Sequence, residues 1–153
     1  MPGVGLLAVG PGRRVRRVPV WPDPAKPPTD ADFRAHARFR HALRRFLRFS
    51  EDAARGAGLT SAQHQLLLAV RGSSRGWLSV GEVARTMRVR PHSAAGLVER
   101  AAHAGLVDKV ADPQDQRRVR VCLSERGARL IAELTVAHRA ELRRLWSRVP
   151  SLR

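Results

Sequence analysis

Two short helical patterns joined by a tight turn are the feature that most constrains the fold of this chain. Ser79 caps the first pattern, which covers Val80–Met87, and Glu82 completes a capping box three residues after the cap. After a short turn, Pro91 stands at the first position of the second helix, where its missing N–H costs nothing, and this helix ends near His103. Apolar positions on both segments predict that the two helices pack against each other.

Two strand-like segments follow the second helix. The first contains Leu106, Val107 and Val110, and a polar turn at 112–116 separates it from the second. The second alternates apolar and polar side chains as a half-buried strand does, with Val119, Val121 and Leu123 against Arg118, Arg120 and Cys122. Two short helices and a hairpin in this order predict a winged helix-turn-helix within residues 60–123.

Long helical patterns lie on both sides of this unit. The first is predicted over 31–57, with Thr29 or Asp30 as its cap, and it contains all four phenylalanines of the chain. The second is predicted over 124–148, with Ser124 as its cap. A helix of about 27 residues is roughly 40 Å long, more than a small monomeric core can cover, so we predict that the first long helix forms a dimer interface. The alternative is that the first helix packs only on its own domain.

The expected fold class is mainly α with a small β-wing, because aromatic residues make up only 5% of the chain and Tyr is absent. We expect one folded domain over residues 29–153. Residues 1–28 hold seven of the ten prolines and five basic residues, which predicts a disordered, basic, proline-rich tail. The alternative is that this tail reflects an upstream start codon and is not made in the cell.

The charge balance indicates a polyanionic partner. Lys and Arg number 29 against 13 Asp and Glu, a formal net charge of +16, so nucleic acid is the first candidate and an anionic membrane surface the second. No run of about 18 apolar residues occurs, so we expect no membrane span. Basic residues near the N-terminus follow a short apolar run, whereas in a secretory signal the basic residues precede the apolar run. We therefore expect a cytoplasmic protein.

The sequence lacks the residues that disulfide frameworks, metal sites and common catalytic sites require. A single cysteine, Cys122, excludes an internal disulfide framework and a cysteine-based zinc finger, and the six histidines show no metal-binding spacing. The sequence contains no phosphate-binding glycine loop, no motif with paired carboxylates and no nucleophile paired with an identifiable general base. We expect no enzyme activity, no metal and no cofactor.

The second short helix carries the candidate base contacts. Its start presents small or polar residues outward, which suits insertion into the major groove of DNA. The candidate DNA-binding residues are Arg88, Arg90, Pro91, His92, Ser93, Ala95, Gly96 and Arg100, with Arg117, Arg118 and Arg120 in the hairpin. Arg88 and Arg90 would contact phosphates, and Arg100 would either read a guanine or pair with a nearby acidic residue. The alternative for the arginines is general solubility charge.

Ordered sequence motifs connect these elements with a known family. They read LTSAQ at 59–63, LSVGEVA at 78–84, LVER at 97–100, GLV at 105–107, DPQDQRR at 112–118 and LSERG at 123–127. Over about residues 33–145 the chain resembles the MarR family of bacterial transcriptional regulators. The resemblance implies a homodimer in which the long helices over 31–57 and 124–148 form the dimer domain. It also implies that 91–104 of each protomer lies in a major groove of double-stranded DNA. It also implies that Arg117 enters the adjacent minor groove and that Asp115 holds it through a charge-assisted hydrogen bond.

The resemblance also suggests regulation by a ligand, because ligands in this family often lie between the dimer helices and the winged domain. His36, His41, His64 and Trp77 are the candidates to line such an effector pocket, with ordinary packing as the alternative. The predicted function is a sequence-specific dimeric repressor of transcription that occludes a promoter at a near-palindromic operator until a small-molecule effector releases it. The alternative is a nonspecific or architectural nucleic-acid-binding protein driven by the net charge of +16.

Overall fold

The computed structural model describes residues 26–148, in which five helices and three strands follow one another. The elements are α1 (Asp30–Gly56), α2 (Ser61–Gly72), β1 (Trp77–Ser79), α3 (Val80–Met87), α4 (Pro91–His103), β2 (Val107–Asp112), β3 (Asp115–Leu123) and α5 (Glu125–Arg148). This mainly helical chain with a small antiparallel sheet confirms the predicted fold class. Most of the predicted tail lies outside the described residues. Within the described part, no helix is both long and apolar enough to cross a membrane.

Side-chain caps fix where the first three helices begin. Thr29, Thr60 and Ser79 precede α1, α2 and α3, and each accepts a bond from a backbone N–H three residues later. In each case the side chain at that later position accepts a bond from the backbone N–H of the cap. α4 begins differently, because Arg90 provides no side-chain cap and Pro91 supplies a pre-set φ. The bounds of α3 and α4 agree with the sequence prediction.

The sheet has the strand order β1-β3-β2, and both pairings are antiparallel. The central strand β3 therefore contacts both the short β1 and the hairpin partner β2. The hairpin turn is shorter than the predicted 112–116, because Asp112 pairs with Asp115 and leaves two residues, 113–114, in the turn. The ladder shifts register between Ala111 and Asp112, next to this turn.

The core lies where α2, α3 and α4 meet the sheet and α5. Its largest fully buried side chains are Leu66, Leu67, Val70, Val83, Val98, Leu106, Val121 and Ile131. Burying one side chain of this kind stabilises a fold by about 1.5–3 kcal/mol. α1 packs mainly on α5 and contributes Ala54 to the core, so the two long helices lie together beside the winged unit. Their role in dimerisation stays a prediction.

A close backbone approach joins α5 to the winged unit. Gly127 is buried, and a Cβ at this position would collide with the carbonyl oxygen of Leu106. The hydroxyl of Ser124 donates to the carbonyl of Gly105 at 2.7 Å, and its backbone N–H donates to the carbonyl of Leu106 at 3.1 Å. These contacts fix the start of α5 against the chain that enters β2.

Candidate nucleic-acid interface

The turn between α3 and α4 holds Arg88 in an unusual backbone conformation. Arg88 has φ 55° and ψ 42°, the left-handed region that residues with a Cβ seldom adopt. The N–H of Val89 donates to the carbonyl of Ala84 at 3.0 Å, a bond that is typical of helices ending at a left-handed residue. Arg88 and Arg90 are both exposed, so the two candidate phosphate contacts lie immediately before α4.

The start of α4 presents small or polar side chains to solvent. The exposed positions are Pro91, His92, Ser93 and Ala95, and the buried ones are Ala94, Leu97, Val98 and Ala101. A helix with a small outer face can bring its backbone close to base edges in a major groove. The structure therefore places the candidate residues outward as expected, and their contact with DNA stays a prediction.

Arg100 lies one turn after Gly96 on the same helix. A Cβ at Gly96 would come within 3.2 Å of a guanidinium nitrogen of Arg100, so glycine leaves room for this side chain. Within residues 26–148, Arg100 forms no ion pair. Its neighbour Glu99 instead accepts a hydrogen bond from Lys109 of β2, and this bond lowers the pKa of Glu99. The arrangement leaves Arg100 available to read a base.

The β2–β3 hairpin carries two exposed arginines near its tip, Arg117 and Arg118. The carboxylate of Asp115 accepts a hydrogen bond from the backbone N–H of Arg117 at 3.0 Å. This is the local two-residue contact that Asp side chains make in turns, and it fixes the backbone rather than the guanidinium. The contact orders the turn before Arg117, and the expected bond from Asp115 to the guanidinium stays a prediction.

Arg120, a third candidate DNA contact on the hairpin, is engaged inside the protein. Its guanidinium donates to Asp112 at 2.8 Å, and its Cζ lies 4.3 Å from the ring centroid of Trp77. The bond from Arg120, together with one from the backbone N–H of Gln114, lowers the pKa of Asp112. Arg120 therefore stabilises the wing from within, and its contact with DNA stays a prediction.

Sequence reasoning missed a second arginine at the same tryptophan. The Cζ of Arg75 lies 4.1 Å from the ring centroid of Trp77, and the guanidinium donates to Glu82 in the first turn of α3. Glu82 also accepts from the backbone N–H of Ser79 at 2.8 Å. The bond from Ser79 and then the bond from Arg75 lower the pKa of Glu82 to about 2. No local sequence signal predicts this contact, because it depends on the fold of the loop between α2 and β1.

The four effector candidates do not share one site. His36 and His41 are exposed on α1, and His41 borders an open groove of about 430 Å³ along that helix. Trp77 lies in the sheet beside two arginines, whereas His64 is buried on α2. The structure therefore does not bring these residues together, because they belong to three elements with different surroundings.

His64 belongs to a buried cluster that sequence reasoning also missed. Its ring centroid lies 5.0 Å from that of His138 on α5, and Phe46 and Phe49 of α1 pack edge-on against His138 at 5.9 and 5.2 Å. The Nε2 of His138 lies 2.9 Å from the hydroxyl of Ser50. Burial, and then the nearby His138, lower the pKa of His64. In the part of the chain that the structure describes, no group of three or more His, Cys, Asp or Glu is placed to hold a metal ion.

Comparison with known proteins assigns the helix-turn-helix and most of the wing to a family. Residues 57–118, from the end of α1 into β3, match the model of the MarR family. This segment belongs to the MarR family. Among curated protein sequences, none matches the chain.

Solved structures of MarR proteins share the fold of most of the chain. AbsC, a MarR family transcriptional regulator from Streptomyces coelicolor, has a TM-score of 0.64 at 20% identity over 79% of this chain and 82% of its own. A mutant of MepR from S. aureus, bound to an oligodeoxyribonucleotide, has a TM-score of 0.62 at 18% identity over 71% and 79%. BpsR from Bordetella bronchiseptica, whose DNA binding is regulated by 6-hydroxynicotinic acid, has a TM-score of 0.58 at 24% identity over 79% and 84%. At these identities the likeness establishes the MarR fold.

Proposed function

We propose that this protein is a dimeric, sequence-specific DNA-binding regulator of transcription that acts as a repressor. The MarR family match and the structural relatives indicate a transcriptional regulator. Each protomer would place α4 in a major groove and the tip of its β2–β3 hairpin in the adjacent minor groove. Two protomers related by a twofold axis would bind a near-palindromic operator with half-sites about one helical turn apart, and would thereby occlude a promoter.

The exposed start of α4, bordered by arginines on both sides, is the observation that carries this proposal. The small side chains of Ser93 and Ala95 let the helix approach base edges, and Arg100 is long enough to form two hydrogen bonds with a guanine. The exposed arginines of the α3–α4 turn would contact phosphates and fix the register of the helix. Arg117 would enter the minor groove, where the electrostatic potential is most negative at narrow sites.

Regulation by a small molecule is part of the same proposal. BpsR, which shares the fold, responds to 6-hydroxynicotinic acid, and we propose that a small effector acts on this protein too. An effector can shift a conformational equilibrium only if it binds one conformation better than the other. α1, α2 and α5 meet at the pair His64 and His138, so a ligand that separates these helices would change the spacing of the two recognition helices. MarR family regulators are DNA-binding proteins, and we propose no catalytic activity.

A nonspecific or architectural nucleic-acid-binding protein is the second candidate, because basic charge extends well away from α4. Between Phe33 and Ser50 of α1 there are six arginines and no acidic residue, and all six arginines are exposed. A protein of this kind would bind every sequence with similar affinity and would lose that affinity steeply as salt is raised.

Fluorescence anisotropy distinguishes the two candidates. The purified protein is titrated into labelled DNA from upstream of its own gene and into scrambled DNA of equal length, each at low and near-physiological salt. A preference of about a hundredfold or more that survives the higher salt supports the specific regulator. Equal affinities that fall together with salt favour the nonspecific binder, and a genome-wide binding selection then tests for an operator elsewhere.

Arg117→Ala tests the contribution of the wing. Loss of a minor-groove contact is expected to weaken specific binding by about 1–3 kcal/mol at fixed salt. Arg55→Ala is the matched control, because Arg55 is an exposed arginine on α1 that pairs with Asp52 and lies outside the proposed contacts. An equal loss for the two variants would remove the wing from the proposal.

A further inference from the structure

The wing and the start of α3 are connected by a continuous series of side-chain contacts, which we name the Trp77 chain. Its members are Glu82 of α3, Arg75 of the preceding loop, Trp77 of β1, Arg120 of β3 and Asp112 of β2. Arg120 is central to it, because the register pairs this residue with Ser79 on β1 and with Val110 on β2. The Trp77 chain therefore crosses all three strands of the sheet.

At the wing end, the Trp77 chain reaches the hairpin turn. Asp112 accepts from Arg120 at 2.8 Å and from the backbone N–H of Gln114 at 3.0 Å, through the same carboxylate oxygen. Asp112 is 4% exposed, so little water can replace either donor. A displacement of Arg120 would therefore be passed to the turn, three residues before Arg117.

At the opposite end, Glu82 fixes Arg75 to the helix-turn-helix. One carboxylate oxygen of Glu82 accepts from Arg75, and the other accepts from the backbone N–H of Ser79 at 2.8 Å. The side chain of Glu82 is only 20% exposed. Because α3 packs directly on α4, this end of the Trp77 chain is fixed relative to the recognition helix.

The indole ring of Trp77 joins the two ends. The guanidinium carbons of Arg75 and Arg120 lie over the ring at 4.1 and 4.3 Å from its centroid, within the range of a cation–π contact. The Nε of Arg120 is buried and has no hydrogen-bond partner within residues 26–148, so part of this guanidinium is desolvated. Desolvation strengthens a cation–π contact, so the burial of this guanidinium increases the contribution of the Trp77 ring.

We propose that Trp77 is a positioning residue for DNA recognition, which holds the wing tip at a fixed distance and angle from α4 through the Trp77 chain. The inference rests on the proposed function, because it requires that α4 and Arg117 contact the same operator half-site. Specific binding needs both contacts at once. A small displacement of the wing relative to α4 prevents the two elements from contacting the half-site together, and so weakens binding even when each element stays folded.

A double-mutant cycle on DNA binding tests this role. The probe is the tightest duplex that the full chain selects from random-sequence DNA. Trp77→Leu and Arg117→Ala are each expected to weaken its binding by about tenfold. The double variant is expected to lose little more than either single variant, because both changes remove the same wing contact. Losses that multiply in the double variant would show that Trp77 acts independently of the wing and would overturn the proposal.

Further variants separate positioning from general stability and from net charge. Trp77→Phe keeps an aromatic ring for both guanidinium groups and is expected to recover most of the affinity that Trp77→Leu loses. Arg75→Gln removes the cation next to Glu82 and is expected to weaken binding severalfold. Arg71→Gln makes the same charge change on the exposed surface of α2 and is expected to have little effect. Equal losses for the two Arg→Gln variants would overturn the proposal, because charge alone would then explain them.

Amide hydrogen exchange tests the inference without DNA. In Trp77→Leu, the N–H of Gln114, which donates to Asp112, is expected to exchange several times faster than in the wild type, while that of Leu67 in the core keeps its rate. Unchanged exchange at Gln114 would overturn the proposal even if DNA binding fell. If Arg117→Ala leaves DNA binding intact, the wing contact of the proposed function fails, and the exchange rate still decides whether Trp77 holds the hairpin.

Discussion

Arg88 combines a backbone role with a charge role, and substitution can separate the two. Within residues 26–148 it is the one non-glycine residue with positive φ, at 55°, a conformation that costs a side chain about 1–2 kcal/mol. Arg88→Gly should therefore raise the free energy of unfolding by up to about 1 kcal/mol, after the entropic cost of glycine. The same variant should lose one phosphate contact. The slope of the logarithm of the DNA-binding constant against the logarithm of the salt concentration should therefore decrease in magnitude by about one. Urea denaturation and DNA titrations at several salt concentrations measure the two effects.

Arg90→Gly is the matched control for Arg88→Gly. Arg90 carries the same charge two residues later and has an ordinary φ of −67°. Glycine at this position should weaken DNA binding in the same way, but it should not raise the free energy of unfolding. No strained φ is relieved, and the entropic cost of glycine is at most offset by its preference at helix N-caps. A gain in stability for both variants, or for neither, would contradict the backbone explanation.

Gly127 shows how the lack of one Cβ fixes a junction between elements. A methyl group at this position would collide with the carbonyl oxygen of Leu106. Neither group can move away unless the backbone itself shifts. We expect Gly127→Ala to lower the free energy of unfolding by about 1–3 kcal/mol, the usual cost of overpacking. Gly81→Ala, on α3 with nothing within 4 Å, should be neutral or stabilising by up to about 1 kcal/mol. Similar destabilisation of both variants in urea would rule out a steric cause.

At the scale of elements, helices and strands were largely predictable because their signals are local. The capping box at Ser79 and the proline at Pro91 placed the bounds of α3 and α4 correctly. The hairpin turn was predicted too long. Residues 112–116 are all polar or proline, and such a sequence does not distinguish a turn from the solvent-exposed end of a hairpin.

The separate roles of the hairpin arginines could not be predicted from their spacing. Arg118 and Arg120 are two residues apart on β3, so strand alternation assigns them to the same face. Arg120 alone of this pair bonds to Asp112 and lies over Trp77, because the strand register brings β1 and β2 beside it. Strand pairing between distant segments is a tertiary property, which local periodicity does not contain.

The lowered pKa of His64, at the junction of α1, α2 and α5, predicts that stability depends on pH. Burial and the nearby His138 lower the pKa of His64 from 6.5, so the unfolded chain binds this proton more tightly than the folded chain does. The free energy of unfolding should therefore decrease as the pH falls below about 6.5, until the lowered pKa has been passed. Urea denaturation at a series of pH values measures this slope.

His64→Gln should reduce the slope of stability against pH, because it removes the titrating group. His36→Gln, which changes an exposed histidine of α1, should leave the slope as in the wild type. The same slope in the wild type and in His64→Gln would show that the pH dependence comes from other groups.

At the scale of the whole molecule, exposed apolar surface is concentrated on the two long helices. Nine large apolar side chains are exposed within residues 26–148, and five of them lie on α1 and α5: Phe33, Leu47, Val136, Leu142 and Trp146. Single exposed apolar residues are ordinary, but a concentration on two helices that pack together is typical of an interaction surface. This distribution supports the proposal that the long helices form the dimer.

Leu47→Glu tests the proposed dimer. Leu47 is 48% exposed on α1, and a carboxylate there would have to be desolvated against the partner protomer. We expect sedimentation velocity to show a shift towards monomer, with little change in the stability of the winged unit. Specific DNA affinity should fall by about a hundredfold or more, because two half-sites are bound together only while the protomers are joined. Leu68→Glu, at 49% exposure on α2, is the matched control and should remain dimeric. A dimer that survives Leu47→Glu but dissociates in Leu68→Glu would assign the interface to the surface of α2 instead.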